Sequence, residues 1–248
     1  FTLGLSALCR PIVLAFIPFL LVGMLLAPTG RMKNKIVCLG IIATVFLATM
    51  SPWIIRNWQV QGKFIFTATN GGYTLLMGNN ASFYRDVVIR EQSGGLWPEK
   101  EFNDWKAKVF KETENLSEIE RDRYFYSKAT GFIKADYGRF LRLFLFKLAR
   151  FWRLFPHVGP PAYKMVSLLS YGPILVFAFI GIVGSPGLWR RTFFLYSIIV
   201  IFSLAYALFW SQIRYRLPIM PFVIIFAARG IMFLYDGIGK RRRCLEQD

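Results

Sequence analysis

Long apolar stretches without charged side chains are the feature that most restricts how this chain can fold. Met165–Trp189 and Thr192–Ile213 contain no Asp, Glu, Lys or Arg. A helix needs about 20 consecutive apolar residues to cross the hydrocarbon core of a bilayer. Three further stretches have a similar character: Pro11–Gly30, Ile36–Ile55 and Leu217–Ile238. The sequence therefore predicts five membrane spans.

The composition favours a membrane protein over a soluble nucleic-acid-binding domain. Hydrophobic residues form 55% of the chain and charged residues 18%, with a mean hydropathy of +0.42. Much of the +17 net charge lies beside the apolar stretches, where Lys and Arg orient spans and meet lipid phosphates. We therefore predict a lipid bilayer environment, no nucleic-acid partner, and an all-α multi-span membrane protein with a mixed, mainly helical external segment.

Short basic clusters orient the predicted spans. The clusters are Arg31, Lys33 and Lys35; Arg190 and Arg191; and Lys240, Arg241, Arg242 and Arg243. Placing all of them in the cytoplasm makes the spans alternate without conflict. The long segment between the second and third predicted spans then lies outside.

This orientation divides the chain into four parts. Residues 1–55 hold a truncated helix and two spans, and residues 56–164 form an extracytoplasmic segment. Residues 165–238 hold three spans, and residues 239–248 form a basic cytoplasmic tail. Phe1–Leu8 has the character of a helix whose beginning is missing. We therefore expect the chain to be the C-terminal part of a larger membrane protein.

Four arginines lie on the side that the charge rule disfavours. They form three groups from different helices, all expected at the outer interface: Arg10, Arg56, and the pair Arg214 and Arg216. One interpretation is that these long side chains reach lipid phosphates from helix ends. The other is a shared phosphate site, since each guanidinium offers a permanent charge and a two-donor fork.

The external segment contains two turn signals and a weak strand signal. Asn70-Gly71-Gly72 and Gly78-Asn79-Asn80 consist of residues that accept positive φ. Such turns expose backbone N–H groups that suit an anion or a sugar, although an ordinary structured loop is the other interpretation. Phe64–Thr69 has weak strand character. Pro98–Ala135 has a polar and mostly helical pattern.

The end of the external segment mixes basic and apolar residues. Arg139–Phe155 contains five cations among Phe, Leu and Trp: Arg139, Arg142, Lys147, Arg150 and Arg153. This composition predicts an amphipathic helix in the headgroup layer. A tilted sixth span is the alternative, but five cations make it costly.

No catalytic or metal-binding motif is visible. The chain has no phosphate-binding Gly loop with Lys, no Ser-His-Asp arrangement and no HExxH, and its one histidine, His157, has no nearby His or Cys. We therefore predict no metal site within the chain, and the need for a divalent cation stays open.

Several motifs, in this order, resemble one enzyme family. Ser51–Trp58, Thr69–Tyr73 and Gly78–Asn80 look like the middle of bacterial polyprenyl-phosphate-dependent glycosyltransferases. These belong to the GT-C superfamily, in the branch related to protein mannosyltransferases and the lipid A aminoarabinose transferase. Leu8–Pro11 resembles the Leu-Thr-Arg-Pro often found upstream, with Cys in place of Thr. Arg214–Pro221 is similar to the motif before the family's last span.

The resemblance implies a multi-span enzyme of the bacterial inner membrane. It would take a sugar from a polyprenyl-phosphate donor at the outer face, by inverting transfer to an unknown acceptor. The four arginines Arg10, Arg56, Arg214 and Arg216 would bind the donor phosphate. The substrate loop would comprise Asn57, Asn70, Gly71, Gly72, Gly78, Asn79 and Asn80. The family's catalytic acidic residues lie in an early external loop with no counterpart here, so we expect no turnover by these 248 residues alone.

Two other functions fit the same pattern of spans and charges. A non-catalytic membrane protein that binds or translocates a lipid carrier would use the same basic cluster. A structural membrane subunit would need no ligand. An external loop with paired Asp or Glu after an earlier span would favour the enzyme.

Overall fold

The computed structural model describes residues 1–26, 30–89, 99–155, 160–184, 187 and 192–245. The described part of the chain is helical and contains no β-strand, which confirms the all-α class. The helices are α1 (Thr2–Cys9), α2 (Ile17–Leu26), α3 (Met32–Gln61), α4 (Gly71–Gly78), α5 (Ala81–Phe83), α6 (Glu99–Lys111), α7 (Glu118–Ala135), α8 (Tyr137–Phe151), α9 (Pro161–Val183), α10 (Phe193–Leu208) and α11 (Met220–Leu245). Turns of 3-10 helix precede α2 and α11, at Pro11–Phe16 and Ile213–Ile219.

Three helical stretches are long and apolar enough to cross a membrane. They are Met32–Gln61, Pro161–Val183 and Ile213–Gly237. Within the most apolar 18 residues of each stretch, the share buried inside the protein is only 11%, 17% and 28%, respectively. The remaining apolar surface faces outward and therefore needs a lipid or protein cover. These stretches overlap three of the predicted spans.

The other two predicted spans coincide with shorter apolar helices. These are Pro11–Leu25 and Phe193–Leu208. Both fall short of the roughly 20 residues that a perpendicular span requires. The five-pass topology therefore stays a prediction. The basic cluster Arg190 and Arg191 lies outside the described residues.

Contacts divide the chain into two compact units, each with its own core. The first comprises Phe1–Ala149 and Leu204–Ser211, and the second comprises Arg150–Ser203 and Gln212–Asp248. In the first unit a large cluster of buried residues joins α4, α6, α7 and α8 around Phe83, Phe102 and Phe125. A smaller cluster joins α1 to α3.

The second unit is built on close packing between α9 and α11. Gly181 and Gly230 make the close approach possible, because a Cβ atom at either position would lie 2.0 Å from a carbonyl oxygen of the other helix. Ala178, Val223 and Phe226 fill the interface beside them. Small residues at such crossings let helix backbones come together, as they do in many membrane helix pairs.

Local signals explain where the helices around the candidate site begin and end. α3 ends at Gly62, which has a left-handed φ of 64° and donates its N–H to the Trp58 carbonyl. α7 begins with a capping box between Ser117 and Glu120, which satisfies the first free N–H groups of the helix. The returning segment, residues 64–69, bends irregularly, so the strand prediction was wrong.

Candidate functional site

A cavity of about 290 Å³ lies beside the C-terminal end of α3. Three predicted site residues, Arg56, Asn57 and Asn70, are part of its lining. The complete lining consists of Trp53, Arg56, Asn57, Gln61, Ile65, Thr67, Ala68, Thr69, Asn70 and Glu118. The cavity thus combines one aromatic ring, several neutral polar groups and two opposite charges.

Side chains of α3 hold the returning segment that forms one wall of the cavity. The Trp53 indole N–H donates to the Thr67 carbonyl. The buried Asn57 amide donates to the carbonyls of Ile65 and Thr67, at 3.2 and 3.5 Å. These carbonyl groups are the acceptors that a neighbouring strand would otherwise use. The segment therefore stays irregular and is fixed to the helix instead of to a sheet.

Arg56 presents an exposed positive charge to the cavity. Its guanidinium lies 5.4 Å from the centre of the Trp53 ring, and its Nη1 donates to Asn57 Oδ1 at 3.2 Å. Among the described residues, no carboxylate lies within ion-pair distance of Arg56. A guanidinium has five N–H donors, so most of them remain available to an anion.

Glu118 lines the same cavity, and sequence reasoning did not identify it. Gln61 Nε2 donates to Glu118 Oε2 at 2.9 Å, and the Thr69 hydroxyl donates to Glu118 Oε1. The capping-box pattern of residues 117–120 marks a helix start, where acidic residues are common. That pattern does not reveal which carboxylate of the first turn faces α3, so only the tertiary structure singles out Glu118.

The first turn signal lies at the rim of the cavity and continues into a packed contact. Asn70 is exposed at the N-terminus of α4. The Gly72 N–H donates to Asp122 Oδ1 at 2.8 Å, and a Cβ on Gly72 would lie 2.2 Å from the Asp122 carbonyl oxygen. Burial raises the pKa of Asp122, although the hydrogen bonds from Gly72 and Tyr73 act in the opposite direction. Gly71 and Gly72 thus dock α4 onto α7.

The second turn signal, Gly78-Asn79-Asn80, forms a buried corner. Asn79 is fully buried and donates to the carbonyls of Leu75 and Leu208, at 2.9 and 2.8 Å. Asn80 accepts the Phe83 N–H at 2.7 Å and so caps the next short helix. None of the three residues lines the cavity. Their role in a substrate loop stays a prediction, while their contacts hold the chain in this corner.

Lys147 completes the corner from α8. Its Nζ is within 3.0 Å of four oxygens, which belong to the carbonyls of Gly78, Leu208 and Phe209 and to Asn79 Oδ1. The residue is fully buried, and burial lowers the pKa of its ammonium to about 7. The Lys147 side chain therefore contacts protein oxygens and not lipid headgroups, while the interfacial position of α8 stays a prediction. This side chain is on the face that packs inward, beside the buried Leu143.

The other predicted arginines have different surroundings. Arg10, in the first unit, donates to the Tyr206 hydroxyl at 3.2 Å. Arg214, in the second unit, is exposed and stacks on the adjacent Tyr215 ring. Arg216 is buried, and its guanidinium lies 3.6 Å from the centre of the Tyr171 ring.

Backbone carbonyl groups of the same chain accept hydrogen bonds from the Arg216 guanidinium. Its Nη1 donates to the carbonyls of Phe151 and Arg153. These bonds tie the turn before α11 to the end of α8 within the second unit. They give Arg216 a structural role, and a phosphate site shared by the four arginines stays a prediction.

A comparison with known protein families, curated proteins and solved structures gives no match for this chain.

Proposed function

We propose that this chain belongs to an integral-membrane glycosyltransferase that takes a sugar from a polyprenyl-phosphate donor, with Arg56 holding the donor phosphate. The observation that carries the proposal is the cavity in which Arg56, Trp53 and Glu118 meet at the end of a membrane-length helix. The family resemblance of residues 51–58 and 69–73 supports the same function.

The length of α3 favours a phosphate site at the membrane surface. Its 30 residues extend for about 45 Å, whereas the hydrocarbon core is about 30 Å thick. Arg56 directly follows the predicted span Ile36–Ile55, so its guanidinium would lie near the level of lipid phosphates. The exposed side chains of Ile55 and Trp58 offer apolar surface on the same helix, where a prenyl tail could lie.

Arg56 suits a phosphate better than a neutral ligand. Its charge has no carboxylate partner among the described residues, and the Trp53 ring restricts its orientation. A preoriented guanidinium binds two phosphate oxygens at once and stabilises the charge that develops on a phosphate leaving group. Lysine would keep the charge and lose the two-donor fork.

Binding of a short prenyl phosphate tests this proposal. We expect the chain, purified in detergent, to bind farnesyl phosphate more tightly than farnesol in titration calorimetry. Arg56→Lys should weaken farnesyl phosphate binding by about tenfold, which corresponds to one charge-assisted hydrogen bond. Arg142→Lys, at an exposed position of α8, is the matched control and should bind like the wild type.

Two results would decide against the proposal. Equal affinities for farnesol and farnesyl phosphate would show that the cavity does not recognise phosphate. Wild-type affinity in Arg56→Lys would remove Arg56 from the site. Sugar transfer from a polyprenyl-phosphate donor, measured in membranes that contain the product of the complete open reading frame, separates a transferase from a non-catalytic carrier-binding protein.

A further inference from the structure

Glu118 is a charged group of the cavity that phosphate binding does not use. Its two carboxylate oxygens accept one hydrogen bond each, from Gln61 and Thr69. Each oxygen can accept two, so both retain capacity. Across the described residues, no Lys or Arg lies within ion-pair distance of Glu118. Two neutral neighbours thus orient a carboxylate whose charge no described cation neutralises.

The negative and positive groups of the cavity are separated along α3. Gln61, which holds Glu118, follows Arg56 by five residues, or about 7.5 Å along the helix axis. Gln61 and Asn57 engage the two charges separately, so Arg56 and Glu118 do not pair with each other. The cavity therefore keeps one part suited to an anion and another suited to hydrogen-bond donors.

The polar lining of the second part matches a ligand rich in hydroxyl groups. Carboxylates accept short, charge-assisted hydrogen bonds from hydroxyl groups. The Asn70 side chain makes no capping bond to α4 and adds an amide at the rim. A cavity of about 290 Å³ is at the small end of ligand pockets. It suits a single sugar ring and excludes a prenyl tail of many isoprene units.

We infer that Glu118 accepts hydrogen bonds from hydroxyl groups of the donor's sugar, while Arg56 holds the adjacent phosphate. Glu118 is then a specificity-determining residue, because its contacts distinguish a glycosylated carrier from the free carrier phosphate. This inference rests on the proposed function, since it takes the cavity to bind a polyprenyl-phosphate sugar.

The test compares carriers with and without a sugar. The probes are farnesyl phosphate and its glucosyl, galactosyl and mannosyl esters, titrated into the purified chain. We expect at least one ester to bind the wild type about tenfold more tightly than farnesyl phosphate. Glu118→Gln, which keeps the size but removes the charge, should abolish this gain without weakening the binding of farnesyl phosphate. Glu114→Gln, at an exposed position that does not line the cavity, is the matched control and should keep the gain.

Each other outcome overturns the inference and bears differently on the proposed function. The inference fails if Glu118→Gln keeps the full gain in affinity, or if no ester binds the wild type more tightly than farnesyl phosphate does. Either result means that Glu118 does not recognise the sugar, while recognition of the phosphate stands. If neither farnesyl phosphate nor any ester binds more tightly than farnesol, both the inference and the proposed function fail. Circular dichroism of each variant confirms that its helical content is unchanged.

Discussion

Two turns of similar composition stand at the two ends of α4 and have opposite environments. Asn70, before the helix, is exposed at the rim of the cavity. Asn79, after the helix, is fully buried and donates to two backbone carbonyls. Asn and Gly mark where the chain changes direction. Whether their polar groups face a ligand or the protein depends on what packs against the turn.

The charged residues beside the two turns repeat this contrast. Arg56 is exposed, and a single described side-chain oxygen accepts from it, that of Asn57. Lys147 is buried, and four oxygens surround its ammonium. The first arrangement leaves donors for a ligand, whereas the second uses them to join three segments of the chain. We therefore propose that the Asn70 side binds the donor and that the Asn79 side contributes stability.

The largest expected effect comes from a methyl group added at the buried turn. In Gly78→Ala the new Cβ would lie 1.7 Å from the Phe209 carbonyl oxygen, so backbone must move. We expect a loss of roughly 3–5 kcal/mol in the free energy of unfolding. Gly71→Ala is the matched control, because its Cβ would meet the end of the Tyr126 side chain, which can rotate away. Thermal unfolding in detergent measures both losses, and equal losses would contradict the difference in packing between the two turns.

Removing the buried ammonium should have the next largest effect. Lys147→Met leaves carbonyl groups at the corner without a donor, and we expect a loss of about 2–3 kcal/mol. The exposed Lys134→Met, on α7, should change stability by less than about 0.5 kcal/mol. Farnesyl phosphate binding at a temperature where both variants are folded should match the wild type. Weaker binding by Lys147→Met alone would assign the corner to the binding site.

A change in pH should have a smaller effect on the free energy of unfolding. Lys147 has a folded-state pKa of about 7, and its pKa in the unfolded chain is about 10.4. Between these values the unfolded state binds more protons, so this group makes the wild type more stable as pH rises. Relative to Lys147→Met, the wild type should gain about 2 kcal/mol from pH 7 to pH 9. A constant difference would contradict the lowered pKa.

Much of the fold follows from patterns that are local in the sequence. Apolar length predicts α3, α9 and the stretch before and within α11, since only a helix satisfies its own backbone over such a distance. The same reasoning identified Arg56 as the cation that ends a span. The family resemblance separately placed Asn57 and Asn70 in a substrate loop. Arg56, Asn57 and Asn70 all line one cavity.

The remaining features depend on contacts between distant residues. Glu118 is 57 positions after Gln61, so no local spacing connects them. Lys147 has the same sequence context as the other cations of its helix, and only the packing of α8 turns it toward the buried corner. Composition predicts that a basic amphipathic helix meets a surface, but a buried cage of carbonyl oxygens can hold a cation equally well.

Photo-crosslinking tests most directly whether the two turns differ in function. The probe is a farnesyl phosphate analogue with a diazirine on the isoprene unit next to the phosphate, and labelled peptides are located by mass spectrometry. We predict labelling within residues 53–70, suppressed by excess farnesyl phosphate and by Arg56→Gln, with residues 78–83 unlabelled. Competable labelling at residues 78–83, or labelling at residues 53–70 that Arg56→Gln leaves unchanged, would contradict the assignment of the cavity as the donor site.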